Sequence, residues 1–295
     1  MSHPSGRVPI SYLFYGLVLF CLLVAILFPY KRFAKTMIGR LEQKSGVELR
    51  YQEFAFAAPF GFQLKNAEVY LPARSGRINA YKGEQLLVKF SPLSLLMKDL
   101  SLKLEGIGYG GELEGSARLD LPIQPVTGDY ELRLKNVRIQ ELISQFYLRN
   151  FKLSGAITGE ADVHLEGAQA FSSATGKLEA ILSDGQVRNI VIQGLDIPDF
   201  AFDKMDAAGI LQNGTLQLRH FKVDSDILLG EMEGEIRITP QDIRDSQLNL
   251  NARLKPKAND PMNLHTVATL FDKIADRDGY YPFKITGTFR FPQLI

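Results

Sequence analysis

A chain of 295 residues with 45% hydrophobic and 23% charged side chains can build a folded core and has the charge content of an ordinary globular protein. Its 34 basic and 33 acidic residues leave a formal net charge of +1, so no overall field draws it to nucleic acid or to an anionic surface. The single cysteine, Cys21, excludes an intramolecular disulfide, and no basic stripe interleaved with aromatics supports nucleic-acid binding.

Residues 8–30, VPISYLFYGLVLFCLLVAILFPY, carry no charged side chain. That length matches the roughly 20 residues a helix needs to cross a bilayer core. The reading is a single membrane anchor through Val8, Tyr12, Phe14, Leu19, Leu23, Leu27, Phe28 and Tyr30. Tyr12, Phe14, Tyr15, Phe28 and Tyr30 sit near its ends, where aromatic rings settle at headgroup depth. A cleaved signal peptide is the alternative. Its apolar stretch would be about 7–15 residues with a small-residue exit, whereas this one is longer and leaves through FPYKRFAK. Arg7 precedes the span, while Lys31, Arg32, Lys35 and Arg40 follow it, a bias that by itself places the carboxyl side in the cytoplasm.

Residues 31–46 predict an amphipathic linker helix with Phe33, Met37, Ile38 and Leu41 on one face, ended by Ser45-Gly46. From Val47 the period becomes two. Leu100/Leu102/Leu104, Tyr130/Leu132/Leu134, Ile157/Ala161/Val163/Leu165, Leu178/Ala180/Leu182, Ile236/Ile238, Leu248/Leu250/Ala252/Leu254 and Phe283/Ile285/Phe289/Phe291 alternate with polar residues. One apolar and one polar face is the signature of an antiparallel sheet wetted on one side. Gly110-Gly111, Asp184-Gly185, Asn213-Gly214 and Gly230 read as the turns between strands. The alternation slips between Leu218 and Phe221, which predicts a bulge near His220. Helices are expected at Ser91-Pro92 and the LSLLM that follows, at 140–148, and from Asp260-Pro261 through Leu264, Val267, Ala268, Phe271 and Ile274 to about Gly279. GGELEG at 110–115 is echoed by GEMEG at 230–234, too loosely to define a repeat period.

Catalytic and metal motifs are missing from the sequence. His3, His164, His220 and His265 are scattered, without zinc spacing, and no nucleophile elbow, Walker loop or dinucleotide fingerprint occurs. The glycines of GIGYGG at 106–111 precede a strand pattern and so lack the helix N-terminus a phosphate loop uses. His164 beside Asp162 and Glu166, the Asp203/Asp206 and Asp224/Asp226 pairs, and Asp276-Arg277-Asp278-Gly279 read as solvated faces and turns. The expectation is a protein without enzymatic activity, cofactor or metal.

Three segments together, LLVKFSPLSLLMKDLSLKLEGIGYGGELEG at 86–115, NGTLQLRHFKVDSDILLGEMEGEIRI at 213–238 and YYPFKITGTFRFPQL at 280–294, resemble the type II secretion system protein N family and, more broadly, AsmA-like periplasmic proteins. The resemblance implies a mainly β protein: an N-terminal transmembrane helix, then an extended, curled antiparallel sheet with a few short helices. It implies residues 1–7 in the cytoplasm, an inner-membrane anchor and residues 47–295 in the periplasm, against the charge bias. Long domains translocate largely regardless of flanking charge, which gives that exception a physical basis. It also implies a non-enzymatic component of the secretion machine that touches its other subunits through strand edges or the polar face. The alternative is a lipid-binding or lipid-transfer protein in which Leu132, Leu134, Val163, Leu165, Leu250, Ile285 and Phe289 line an apolar groove for phospholipid.

Overall fold

The computed structural model describes residues 15, 19, 32, 35–36, 38–39, 42–43, 46–57, 60–73, 76–91, 94, 99–120, 127–143, 152–166, 172–192, 195–197, 199–239, 242–257, 269 and 273–295. In chain order these form β1 (Glu48–Arg50), β2 (Glu53–Ala57), β3 (Gly61–Ala73), β4 (Gly76–Phe90), β5 (Asp99–Gly108), β6 (Gly111–Asp120) and β7 (Gly128–Arg138). The short helix α1 (Ile139–Ile143) follows, then β8 (Lys152–Leu165), β9 (Thr175–Arg188), β10 (Ile190–Ile192), β11 (Leu195–Ile197), β12 (Phe200–Gln212), β13 (Thr215–Ser225) and β14 (Leu228–Arg237). A 3₁₀ turn (Ile243–Asp245) leads into β15 (Gln247–Pro256), β16 (Tyr281–Thr288) and β17 (Pro292–Leu294).

All strands except the β10–β11 hairpin join one 15-stranded antiparallel sheet, in which β1 and β2 both flank β3 and the rest pair in chain order. The sheet is open: its path ends at β1 and β2 on one side and at β17 on the other. The expected antiparallel sheet, with few helices among the described residues, is therefore present. Turns of a meander alternate between two rims. The chain enters at Glu48 on the rim that also carries the β5–β6 and β13–β14 turns; the far rim carries the β2–β3, β12–β13, β14–β15 and β16–β17 turns.

Local sequence fixes several of these features. Tyr109 (φ 53°) with Gly110 (φ 73°), and Asn213 (φ 50°) with Gly214 (φ 73°), form two-residue turns in the left-handed region that right-twisted strands require. Arg219 is left over between the pairs Gly209↔Leu218 and Ala208↔His220, which is the expected bulge. It keeps Leu218 and Phe221 on the same face despite their odd spacing.

Other turn cues are overturned. Asp184-Gly185 lies inside β9 as a bulge opposite Gly155, between the pairs Ser154↔Gln186 and Ala156↔Ser183, with Asp184 at φ 50°. Gly230 lies inside β14 against Val223, and the chain turns at Asp226–Ile227 instead. There Ser225, 3% exposed, both accepts from the Leu228 N–H (3.0 Å) and donates to the Leu228 carbonyl (2.9 Å). The glycines of 106–111 divide their work. The turn falls one residue before the expected Gly110-Gly111, at Tyr109-Gly110 with Gly111 opening β6, while Gly106 and Gly108, with Gly83, leave room for the Tyr81 ring, which any Cβ there would crowd. Tyr81 donates to the Gln85 carbonyl (2.7 Å) and meets Tyr109 edge-on at 6.4 Å, and burial pushes its phenol up to about 12.

The largest core packs Leu182, Val187, Phe200, Phe202, Val223, Ile227 and Leu228 with Ile139 of α1, and Leu142 and Ile143 seal its flank. Thus α1 begins within one residue of the expected helix and covers the apolar face toward the entry rim; 144–148 lie outside the described residues. Toward the C-terminal edge the sheet bends until β17 comes against β10. Leu248, Leu250, Ala252 and Phe283 become almost wholly buried there.

In the linker, residues 32, 35, 36, 38, 39, 42 and 43 are helical. Gly46, at φ 70°, ends the helix by donating to the Glu42 carbonyl (2.9 Å), as its sequence predicts. Phe33, Met37, Leu41 and Ser45 lie outside the described residues, as do most of 92–98 and 258–272. Ser94 and Thr269 are helical. Ile274, expected on the buried side of the third helix, is instead non-helical and 85% exposed. The anchor residues Val8, Tyr12, Phe14, Leu23, Leu27, Phe28 and Tyr30 also lie outside; Tyr15 and Leu19 are helical and exposed. Among the described residues no helix is long and apolar enough to cross a membrane.

Candidate functional site

Strand register converts the alternation of single strands into lateral rows. One row starts at Phe56 on β2 and passes through Phe62, Val88, Leu104, Gly115, Leu132 and Ala161. It continues through Leu178, Gly209, Leu218, Gly234, Leu250 and Ile285 to Leu294 on β17. No member has a polar side chain. A parallel row toward the far rim contains Tyr130, Val163, Leu211, Leu216, Ile236 and Leu248. Burial raises the Tyr130 phenol above its ordinary range, as an apolar setting requires.

The first row is not evenly covered. Leu250 is 5% exposed in the bent C-terminal part, whereas Leu104 and Leu132 are 38% and 44% exposed in the middle of the sheet. Between them lies Gly115, whose bare backbone leaves a notch in the floor: an added Cβ would meet nothing closer than 3.6 Å. This stretch is an apolar strip with solvent access, whose side chains are alkyl and offer no nucleophile, acid or base.

Of the expected groove residues, the register brings Leu132, Leu250 and Ile285 into this row, with Leu134, Val163 and Leu165 beside it on β7 and β8. Phe289 does not join them. β16 ends at Thr288, and Phe289 and Phe291 fall in the tight turn before β17, 38% and 70% exposed. Gly115 escaped sequence reasoning because its place opposite both Leu104 and Leu132 exists only once strands are paired.

The opposite face is a ladder of exposed ion pairs, among them Lys89–Glu105 (2.6 Å), Lys135–Glu112 (3.0 Å) and Arg253–Glu231 (3.3 Å), each worth little in stability. It is indented across β6 to β13 by a hollow of about 530 Å³ whose lining includes Arg133, Glu160, Glu179, Ile181, Lys204 and His220. The polar face is therefore not uniformly convex. Glu160 and Glu179 stand directly opposite across β8 and β9, a like-charge placement that Arg133 offsets only at 3.9 Å from Glu160.

Several of the remaining polar candidates have structural partners. His164 bonds Asp129 across the strands (2.7 Å), and His220 bonds Asp206. Asp206, despite partial burial that works the other way, is held below its ordinary range by His220 and Lys204. Asp224 pairs with Lys257 (2.6 Å), and Asp226 accepts from the Ala201 N–H (3.2 Å). Asp276 accepts from the N–H groups of Asp278 and Tyr280 (3.0 and 2.9 Å) and pairs with Arg253 (2.6 Å), so it closes a turn rather than a calcium loop. Among the described residues no group of three or more His, Cys, Asp or Glu is placed to hold a metal ion.

The C-terminal edge, one expected place for strand addition, is blunted. Lys284 and Thr288 bond β17, so Pro282, of the same parity, faces that edge without an N–H. On β17 itself Phe291 and Ile295 face inward and Pro292 faces out. Pro282 and Pro292 offer a docking strand no donor, which leaves Leu294, of the same parity as Pro292, as the outward N–H of β17.

The far-rim corner next to this edge is held by charge. Asp242 caps the 3₁₀ turn, takes a bidentate contact from Arg244 (2.8 and 2.6 Å) and pairs with Arg290 (3.0 Å). The hydrogen bonds from Arg244 lower its carboxyl from 3.8 to about 2. A depressed carboxyl stabilises the fold above the unfolded-state value, and that contribution disappears as pH falls from about 4 to about 2. Asp242→Asn is therefore expected to cost about 1–2 kcal/mol at neutral pH, with the gap from the parent closing toward about pH 2 in urea titrations across pH.

Compared with protein-family models, curated proteins and solved structures, the chain matches none.

Proposed function

We propose that this chain is a non-enzymatic protein, tethered to a bilayer by residues 8–30, whose open sheet shelters lipid acyl chains in the trough over Leu104, Gly115 and Leu132. The observation that carries this reading is the row from Phe56 to Leu294, unbroken by any polar side chain yet left 38–44% exposed at Leu104 and Leu132. A soluble sheet normally seals such a face with a second layer. Among the described residues α1 seals the part toward the entry rim and the bend buries the C-terminal part, while Leu104 and Leu132 between them stay exposed. Dispersion and the hydrophobic effect reward an alkyl chain that fills the remainder, at about 0.8 kcal/mol per buried CH₂. Native mass spectra of the full chain released from membranes in mild detergent test it. Phospholipid adducts are expected on the parent and their loss on Leu132→Asp, which places a charge on an exposed trough position without opening the core. Adduct-free spectra of the parent reject the reading.

A second reading, an inner-membrane component of a type II secretion system with its sheet in the periplasm, is favoured by the hollow on the polar face. The Glu160–Glu179 pair there would be relieved by a basic side chain from another subunit. It predicts copurification with secretion subunits and loss of exported protein on deletion of the gene. Undiminished export from the deletion strain rejects it.

A further inference from the structure

We propose that the far-rim corner built from the β16–β17 turn and the neighbouring 3₁₀ turn is a second bilayer contact, separate from residues 8–30 and independent of the trough. Three apolar side chains are exposed in these two turns: Phe291 at 70%, Ile243 at 44% and Phe289 at 38%. The turns abut through their backbones, with the Phe289 N–H donating to the Ser246 carbonyl (3.4 Å) and the Arg290 N–H to the Arg244 carbonyl (2.9 Å). The aromatic tip is therefore pre-shaped.

Two properties fit lipid rather than a protein partner. The first is backbone satisfaction. The N–H groups of Thr288, Phe289, Arg290 and Phe291 all donate within the protein, and on the facing turn those of Arg244, Asp245 and Ser246 do the same. A tip entering the interfacial region leaves few donors stranded, which is the main cost of putting irregular backbone there. The second is charge. Arg244 and Arg290 are cancelled by Asp242 and Asp245 through contacts of 2.6 Å (Arg244–Asp242), 3.0 Å (Arg290–Asp242) and 3.1 Å (Arg290–Asp245). The tip thus presents aromatic and aliphatic surface with no net charge, which suits a zwitterionic headgroup layer. The meander places this corner on the rim opposite the one at which the chain enters the sheet from residue 48.

The test uses the full chain in phosphatidylcholine vesicles, with Cys21→Ala and a bimane label at Phe291→Cys, at Ile243→Cys or, as a control on the exposed polar face, at Asn249→Cys. Quenching by brominated lipid at least about threefold above the control is expected at 291 and 243, unchanged by adding anionic lipid or raising salt to about 0.5 M. Such quenching at either position supports the contact. Control-level quenching at both overturns it and leaves a protein as the occupant. Quenching that requires anionic lipid also overturns it, because an uncharged tip has no means of that selectivity. Loss of lipid adducts on Leu132→Asp has no bearing on these labels, so this contact and the trough fail separately.

Discussion

Gly115→Phe is expected to remove copurifying phospholipid by at least about tenfold while leaving the melting temperature of the sheet nearly unchanged. Most glycines in this sheet cannot carry a side chain. Gly234, in the same row, has φ 135°, and a Cβ there would overlap the Asn249 carbonyl, so Gly234→Ala should lose stability together with any ligand. Gly115 differs. Its φ is outside the left-handed region, and its nearest neighbours, the Glu131 carbonyl and the Leu104 side chain, lie at 3.6 Å from a built Cβ. An aromatic ring at 115 therefore rises into the open space between Leu104 and Leu132 and occupies the volume an alkyl chain would use. Paired measurements of lipid content by mass spectrometry and of unfolding by circular dichroism separate the two effects. Retention of lipid at the parental level by a folded Gly115→Phe protein would sink the trough.

Which parts of this were legible before the strands were paired follows from the range of each interaction. Period-two alternation is set within a strand by the pleat, so the sheet class and the inward faces of β7, β8, β15 and β16 follow from sequence alone. The Arg219 bulge was legible because Leu218 and Phe221 sit three apart, and only an extra residue returns both to one face. Asp184-Gly185 misled for the converse reason. Positive φ at Asp184 serves a hairpin or a bulge equally well, and the choice was made by Ser154 on β8 and Phe202 on β12, far away in sequence. Gly230 likewise reads as a turn until Val223 is seen lying over it. Phe289 continued the apolar spacing of β16, but its N–H bonds the Ser246 carbonyl and the chain reverses. The row joining Leu132 to Leu250 was invisible, since a strand's sequence states its face and not its neighbour's register.

The same long-range choice yields the largest stability effect expected in the described core. Gly185→Ala should destabilise the fold by about 2–4 kcal/mol, and Phe202→Ala by about 3–5 kcal/mol. Phe202 is 3% exposed and lies directly across from Gly185, packed with Leu182, Val187, Phe200 and Val223. A Cβ at 185 would sit inside the Phe202 ring and 2.5 Å from the Ser154 carbonyl, with backbone on one side and core on the other. The ring cannot swing away without opening the cluster that α1 closes with Ile139. If the ring is the main obstacle, adding Gly185→Ala to a Phe202→Ala protein should cost at least about 1 kcal/mol less than adding it to the parent, the remainder coming from the Ser154 carbonyl. Urea unfolding of the two single variants and the double variant measures that coupling. Strict additivity would mean that the strand backbone, rather than the aromatic clamp, dictates glycine at 185.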